Sequence, residues 1–557
     1  MLTIKADGQT IDLPEDFSIT LNGKSPIFND IGDFSYPCKV KYSLRNATIF
    51  KFLNRVECTS NPYHEFDGEV MWDGITIAAG RLKVKIGNSL GFEFQIYPNE
   101  GDFYYAIKDK LLRQIDYGSR FNAAMPDAIV TFANSIIGQS YPQSPVTFPM
   151  IFDDTYLDPV PEDEELWYIN RYEKRVHEPT YRLHHLTAAG NWNIIVPMLF
   201  YRYVLDCIFK NLGYVYKDEF FSANPAFNSM VLFNSKNSHA EAIDEEVYIR
   251  YNLHVPDITL KDFFLGQETF FNVRNFVNRA TKTVTLKSVT QILSSVGSID
   301  ISKKVLSVSV EMEDQVPGYL VKMELDGGDT GQAEFSQVQE DFMKLFKGCV
   351  DTFNNLPAFP DAVIGQVFLV QDENIFYQFN IDLIWHPYYR RYLNLNLFSQ
   401  MINGNISNAT ELTSAFSTLL NYSQLYGFSF GDTVGCGNKG EEWADIKPRV
   451  FFSIYKPATP STFGGSMQSY SDIPGNISLP YCCPKNPYLL YYKDYLDWLI
   501  KTKAVKINAQ CSFLDLRDID YSKKYSIDGV NYLIKDYQVT LKKEQISSTT
   551  FTAYVCP

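Results

Sequence analysis

The residues in this chain that could do chemistry are few. His184 and His185 stand together, near His177 and beyond the acidic run DDTYLDPVPEDEE at 153–165, and imidazoles beside carboxylates are the material of a metal site. The spacing argues against one. Adjacent histidines diverge on a helix or a strand, no HExxH is present, and no cysteine or histidine follows at ligand spacing. Asp153, Asp154, Asp158, Glu162, Asp163, Glu164 and Glu165 lack the D-x-[DN]-x-[DN]-G order that wraps oxygens round calcium, so a solvated loop accounts for them. Cys482 and Cys483, in YCCP, have no evident paired histidine. DGGDTG at 326–331 shares only its glycines with a phosphate loop, without a GKS or GKT ending. No GxSxG, SxxK or kinase motif occurs. The sequence therefore predicts no catalytic residue, no metal and no cofactor. A pair of glycosidase carboxylates stays open, because their separation is set by the fold.

Two further groups carry binding or structural meaning. In HPYYRRYLNLNLF, Tyr388, Tyr389, Arg390, Arg391 and Tyr392 combine rigid aromatic surface with bidentate donors, the composition of an interface hot spot for a sugar or a partner protein. The same residues could equally be strand positions covering a core. In HVPDITLKDFFLGQETFFNVRNFVNRATKTVTLKSV, Thr259 and Asp262 have capping-box spacing, so Leu260, Phe263 and Phe264 should begin a short helix that Gly266 interrupts. Thr269 to Val277 then suits a strand that turns and returns along 283–288, a hairpin over 269–289. Nothing there pairs a nucleophile with a base, and the stretch reads as scaffold.

Those residues must be positioned by a large, β-rich body. At 557 residues the chain exceeds one core and predicts three or four domains. Hydrophobic residues make up 45% and aromatics 15%, with 41 Phe and 37 Tyr, which favours strands. A formal net charge of −15 argues against a nucleic-acid binder that works by neutralising phosphates. Nine cysteines, an odd number without a CxxC pair, fit reduced thiols made in a cytoplasm, and the N-terminus lacks the pattern of a secretory signal. The apolar stretch NIIVPMLFYRYVLDCIFKNLGY carries Arg202, Asp206 and Lys210, so it predicts a buried helix over 197–212 ending at Gly213, and no membrane span.

The expected class is α+β and β-dominated, in several domains. Residues 1–105 form an N-terminal β domain with a helical insertion from Ser43 that includes Ile49, Phe52 and Leu53. Residues 106–190 are an irregular acidic excursion, 191–305 an α+β domain, and 306–480 an inserted β and loop-rich domain. Residues 481–557 hold a helix, with Tyr492, Tyr495, Leu496, Leu499 and Ile500 on one face, and a hairpin turning at Asp528 and Gly529.

Three stretches together resemble structural tail proteins of phages and prophages of Bacteroidota: residues 21–57, residues 254–293, and residues 490–507 followed by 515–541. The resemblance implies a virion tail component, similar to the baseplate hub that ends the tail tube. Such a hub contributes two tube-like β-barrel regions with short helices per chain, and three chains make a pseudo-sixfold ring. It further implies self-association, as a trimer or a hexamer, contacts with the tail tube and other tail-tip proteins, and passage of DNA without specific binding. A distal-tail protein, a glycan-recognising host-binding protein and a hydrolase of cell wall or capsule remain as rival readings.

Overall fold

Strict alternation of apolar and polar residues along LTIKA, EFDGEVMW and GFEFQIYP buries every second side chain, which turns the N-terminal part into a sheet with one face on the core. The computed structural model of the chain describes residues 1–28, 34–57, 64–122, 126–152, 168–173, 175, 177–178, 182–186, 190, 193–234, 236, 242–243, 246–279, 281–311, 318–323, 345–370, 375–387, 399–402, 410–414, 417–418, 421–423, 429–431, 448–456, 466–470, 472–473, 477–479 and 487–557. The first sheet is antiparallel and six-stranded, in the order Gln9–Thr10, Leu2–Ala6, Glu65–Trp72, Ile75–Asn88, Gly91–Pro98, Cys38–Lys41.

A second, eight-stranded sheet joins distant parts of the chain. Ser298–Asp300, Lys524–Ile527, Val530–Lys542, Thr549–Cys556, Ala504–Ala509 and Val305–Glu311 follow one another across it. Ser18–Lys24 lies on the far half of the long Val530–Lys542 strand, from Ser18 opposite Lys542 to Lys24 opposite Asp536, and also pairs with Phe34–Ser35. Gly23 makes this seat possible, since a Cβ there would lie 2.0 Å from a ring carbon of Tyr537 and 2.3 Å from the Tyr521 hydroxyl. The chain is thus β-dominated and α+β, with Ser18–Lys24 of its N-terminal region and its C-terminal strands in one sheet.

Sharing one hydrophobic core with both sheets are the Tyr201–Asn211 and Leu260–Phe271 helices and a three-stranded sheet in which Thr283–Ser288 pairs in parallel with Val215–Asp218 and antiparallel with Val273–Asn278. Further out, Phe346–Val350, Val367–Val370, Ile375–Phe379 and Trp385–Pro387 form a four-stranded sheet, with Val370 and Tyr377 packed on Val350, Leu356 and Trp385. No helix among the described residues is long and apolar enough to cross a membrane.

Several elements differ from their expected bounds. The helix after Thr259 does not stop at Gly266 but runs twelve residues, Leu260–Phe271, and the hairpin is Val273–Asn278 with Thr283–Ser288. A glycine inside a helix costs about 1 kcal/mol. Burial of Leu260, Phe263, Phe264, Phe270 and Phe271 along the same helix outweighs that, and Asn272, left-handed at φ 50°, is what ends it. The helix expected from 197 begins at Tyr201, because Met198–Leu199 instead pairs with Val146–Thr147 as a strand. The helix capped by Ser43 closes at Ile49, after which Lys51 and Phe52 take left-handed backbone. Residues 106–190, expected to be irregular, contain the helix Pro126–Ser135. Glu100–Ile107 is helical across position 105, and Val305–Glu311 belongs to the eight-stranded sheet.

Candidate functional site

The Leu260–Phe271 helix is the point on which the other elements converge. Thr259 caps it: its hydroxyl oxygen accepts from the Asp262 amide at 3.0 Å and donates to the Asp262 carboxylate at 2.6 Å. Phe263 and Phe264 are fully buried. The Phe264 ring meets Phe209 at 5.4 Å and Phe103 at 5.8 Å, while Phe263 meets Tyr201 at 5.4 Å. At the other end Phe271 packs edge-on against Phe221 and Phe227. Aromatic pairs at such distances prefer these tilted and edge-to-face arrangements, so one helix holds rings from the helices before it and from the N-terminal region.

Polar contacts tie the same helix to both ends of the chain. Arg274, just past the Asn272 cap, donates to the Pro26 carbonyl at 2.8 Å and to the carbonyls of Glu268 and Val273. Glu268 is buried and accepts from Tyr104 at 2.5 Å and from Asn275 at 3.0 Å. Burial would lower the Arg274 pKa, but the Glu268 charge beside it holds the guanidinium above its ordinary value. Toward the C-terminus, Asn272 and Thr290 both donate to the Tyr491 carbonyl, and Tyr492 donates to the Thr269 carbonyl. Tyr491 and Tyr492 belong to a single π turn, Tyr488–Tyr492, that leads into the Lys493–Lys501 helix. Burial pushes the Tyr495 phenol up to about 12, so it stays neutral beside Arg274.

A second knot fastens the N-terminal sheet to the central hairpin. Asp102 is buried and bridges Arg81, at 3.3 Å, and Arg279, at 3.2 Å. Arg81 also grips Glu65 at 2.7 Å, and Tyr105 donates to Glu65 at 2.6 Å. Desolvation raises the Glu65 pKa, but the Tyr105 and Arg81 hydrogen bonds outweigh it and hold that carboxyl below its usual range.

What this arrangement does chemically is lock. Each strong charge is held by a partner, and the thiols are protonated: burial pushes Cys38 up to about 12 and Cys556 up to about 11, away from nucleophilic thiolate. A cleft of about 860 Å³ is lined by the first sheet at Thr76–Ala79, by the central hairpin and by the second sheet, and in it Arg517 meets Asp518 at 2.7 and 2.9 Å and Lys523 meets Asp520 at 3.1 Å. Among the described residues no three His, Cys, Asp or Glu side chains gather as a metal site, and His184 instead meets Glu178 at 3.1 Å.

Of the residues singled out in the sequence, Thr259, Asp262, Phe263 and Phe264 come together at the central helix. Asp528 and Gly529 make the turn between Lys524–Ile527 and Val530–Lys542, both with positive φ, and the Asp528 amide donates to Ser302. Tyr388, Tyr389, Arg390, Arg391 and Tyr392 lie outside the described residues, as do the acidic run, the DGGDTG stretch and Cys482 and Cys483. Arg274, Glu268, Asp102 and Arg279 were missed. Their one sequence signal is charge inside otherwise apolar, strand-like or helical runs.

Neither a family model nor a curated protein sequence matches the chain. Among solved structures it is similar to the 43 kDa tail protein of prophage MuSo2 from Shewanella oneidensis, at TM-score 0.31 and 8% identity over 100% of this chain and 97% of that one. It is similar also to a tail protein from Neisseria meningitidis, at TM-score 0.29 and 7% identity over 99% and 95% of the two chains. A third likeness, to a PdpA–VgrG complex, has TM-score 0.29 and 7% identity and covers 100% of this chain and 64% of that one. At these scores the likeness fixes neither fold nor role.

Proposed function

We propose that the chain is a structural component of a phage tail and, more narrowly, a baseplate hub or tail-tip ring that ends the tail tube and lets DNA pass. One observation carries this reading: the stretches that resemble tail proteins are the ones that build the common frame. Residues 21–57, 254–293, 490–507 and 515–541 are far apart in sequence. They are joined by the Ser18–Lys24 and Val530–Lys542 strand pair, by Arg274 on Pro26, and by Asn272 and Thr290 on Tyr491. The resemblance therefore concerns one interlocked unit rather than scattered short likenesses.

In this reading the six- and eight-stranded sheets supply the two tube-like β regions, and three copies close a pseudo-sixfold ring. Its partners are further copies, the tail tube and neighbouring tail-tip proteins, and it is assembled in the host cytoplasm. A net charge of −15 suits a lumen through which DNA slides without sticking. The mechanism is assembly and opening, without metal, cofactor or turnover. Immunogold labelling of intact particles with antibody against the purified chain tests the reading. Gold at the far end of the tail is the expected result, and gold on the head, or on no particle at all, overturns it.

A further inference from the structure

The strand Val305–Glu311 ends the eight-stranded sheet, and among the described residues it pairs on one side only, with Ala504–Ala509. Its sequence VLSVSVE alternates, as a half-buried strand should, yet Leu306 is 64%, Val308 43% and Val310 56% exposed. Their neighbours across the pair are buried: Val308 stands opposite Ile507 and Val310 opposite Val505, at 2% and 3% exposure. The apolar face of the core thus runs one strand beyond the point where this chain covers it. Every second residue of an edge strand also turns its N–H and C=O outward, and a long apolar edge of this kind is a template for another strand. It contains no proline and no inward charge, and beyond the bulge between Val305 and Ser307 its pairing with Ala504–Ala509 is regular, so the edge stays open from Ser307 to Glu311.

We infer that Val305–Glu311 pairs antiparallel with the same strand of a second copy, about a two-fold axis through Val308. The choice of a second copy rests on the strand's own symmetry. Centred on Val308, Leu306 of one copy faces Val310 of the other, Ser307 faces Ser309, and Val308 faces itself, so apolar meets apolar on one face and hydroxyl meets hydroxyl on the other. The ends are complementary as well. Exposed Lys303 precedes the strand and Glu311, 3.9 Å from Lys506, ends it, so antiparallel pairing brings opposite charges to each end, while Lys304 is held by Asp515 at 2.6 Å. A head-to-tail or parallel pairing brings neither match.

This contact stands apart from the tail reading, because a three-fold ring uses two different surfaces whereas a two-fold contact uses one surface twice. Cysteine scanning of the full chain tests it. Under mild oxidation Val308→Cys should give a disulfide-linked dimer on a non-reducing gel that the wild type does not give. Leu306→Cys alone should not cross-link, whereas a mixture of Leu306→Cys and Val310→Cys chains should. In sedimentation, Val308→Lys should remove the two-copy contact with an unchanged melting temperature, since the side chain is exposed. Mass distinguishes the two ideas: a dimer, or a hexamer of two joined rings, halved by Val308→Lys, supports the inference. A Val308→Cys chain that stays uncross-linked, or a mass that Val308→Lys leaves unchanged, overturns it, and a trimer unaffected by that substitution would leave the ring standing without it.

Discussion

At the scale of single residues, the central helix separates packing from capping. Phe264 is enclosed by Phe103, Phe209 and Phe263, so truncation removes a large buried ring and leaves a cavity. Phe264→Ala should cost about 3–5 kcal/mol and impair assembly. Thr259→Ala removes two exposed hydrogen bonds, from the Asp262 amide and to its carboxylate, and should cost about 1 kcal/mol, leaving assembly intact. Denaturant melts of the two variants check this, and equal midpoints would mean that the aromatic cluster is not the core described. The cap was legible because hydroxyl and carboxylate three residues apart have a local geometric meaning. The Arg274 and Glu268 arrangement was not, because their partners Pro26 and Tyr104 lie in sequence-distant segments.

At the scale of elements, the joint between the first and last segments depends on a missing side chain. Gly23→Ala would drive a methyl into the ring of Tyr537, which is itself buried, and should destabilise the protein by about 1–3 kcal/mol by overpacking. Loss of amide protection along Ser18–Lys24 in hydrogen exchange would report the opened pair, and unaltered protection would show that the strand has room to spare. The joint between the first sheet and the central hairpin has a pH signature. Glu65 has a lower pKa folded than unfolded, so the unfolded state binds more protons in the range between the two values. Its contribution is present above the ordinary value of 4.5 and is lost as pH falls through the lowered one. Stability measured downward from neutrality should therefore fall in acid, and less steeply for Glu65→Gln.

Elements were readable where local rules decide them. The Asp528 and Gly529 turn, with alternation on both arms, is an example, and so is the helix with Tyr492, Tyr495 and Leu496 on one face, although its π turn left no mark in the pattern. Elements were misread where tertiary burial overrides the local signal. Gly266 reads as a break but is carried through by the buried phenylalanines on either side, and Met198–Leu199 reads as helical but is claimed by a strand partner at Val146–Thr147. Val305–Glu311 was not read as one strand, since the boundary expected between 305 and 306 divides it, and its alternation does not reveal an exposed edge, because the pattern is the same whether the apolar face meets its own chain or another.

At the scale of the whole molecule, one interlocked frame gathers residues from both ends and the middle of the chain, and its charges are spent on holding elements together. The proposed tail role rests on this interlocking and on the acidic charge of the chain. The proposed function requires that copies of this chain close around a channel. Electron microscopy of the purified protein, with image classes sorted by symmetry, measures this most directly. Closed particles with three-fold symmetry in projection and an open centre wide enough for duplex DNA are the expected result. A uniform population of single chains at high protein concentration, or closed particles with a filled centre, would contradict it.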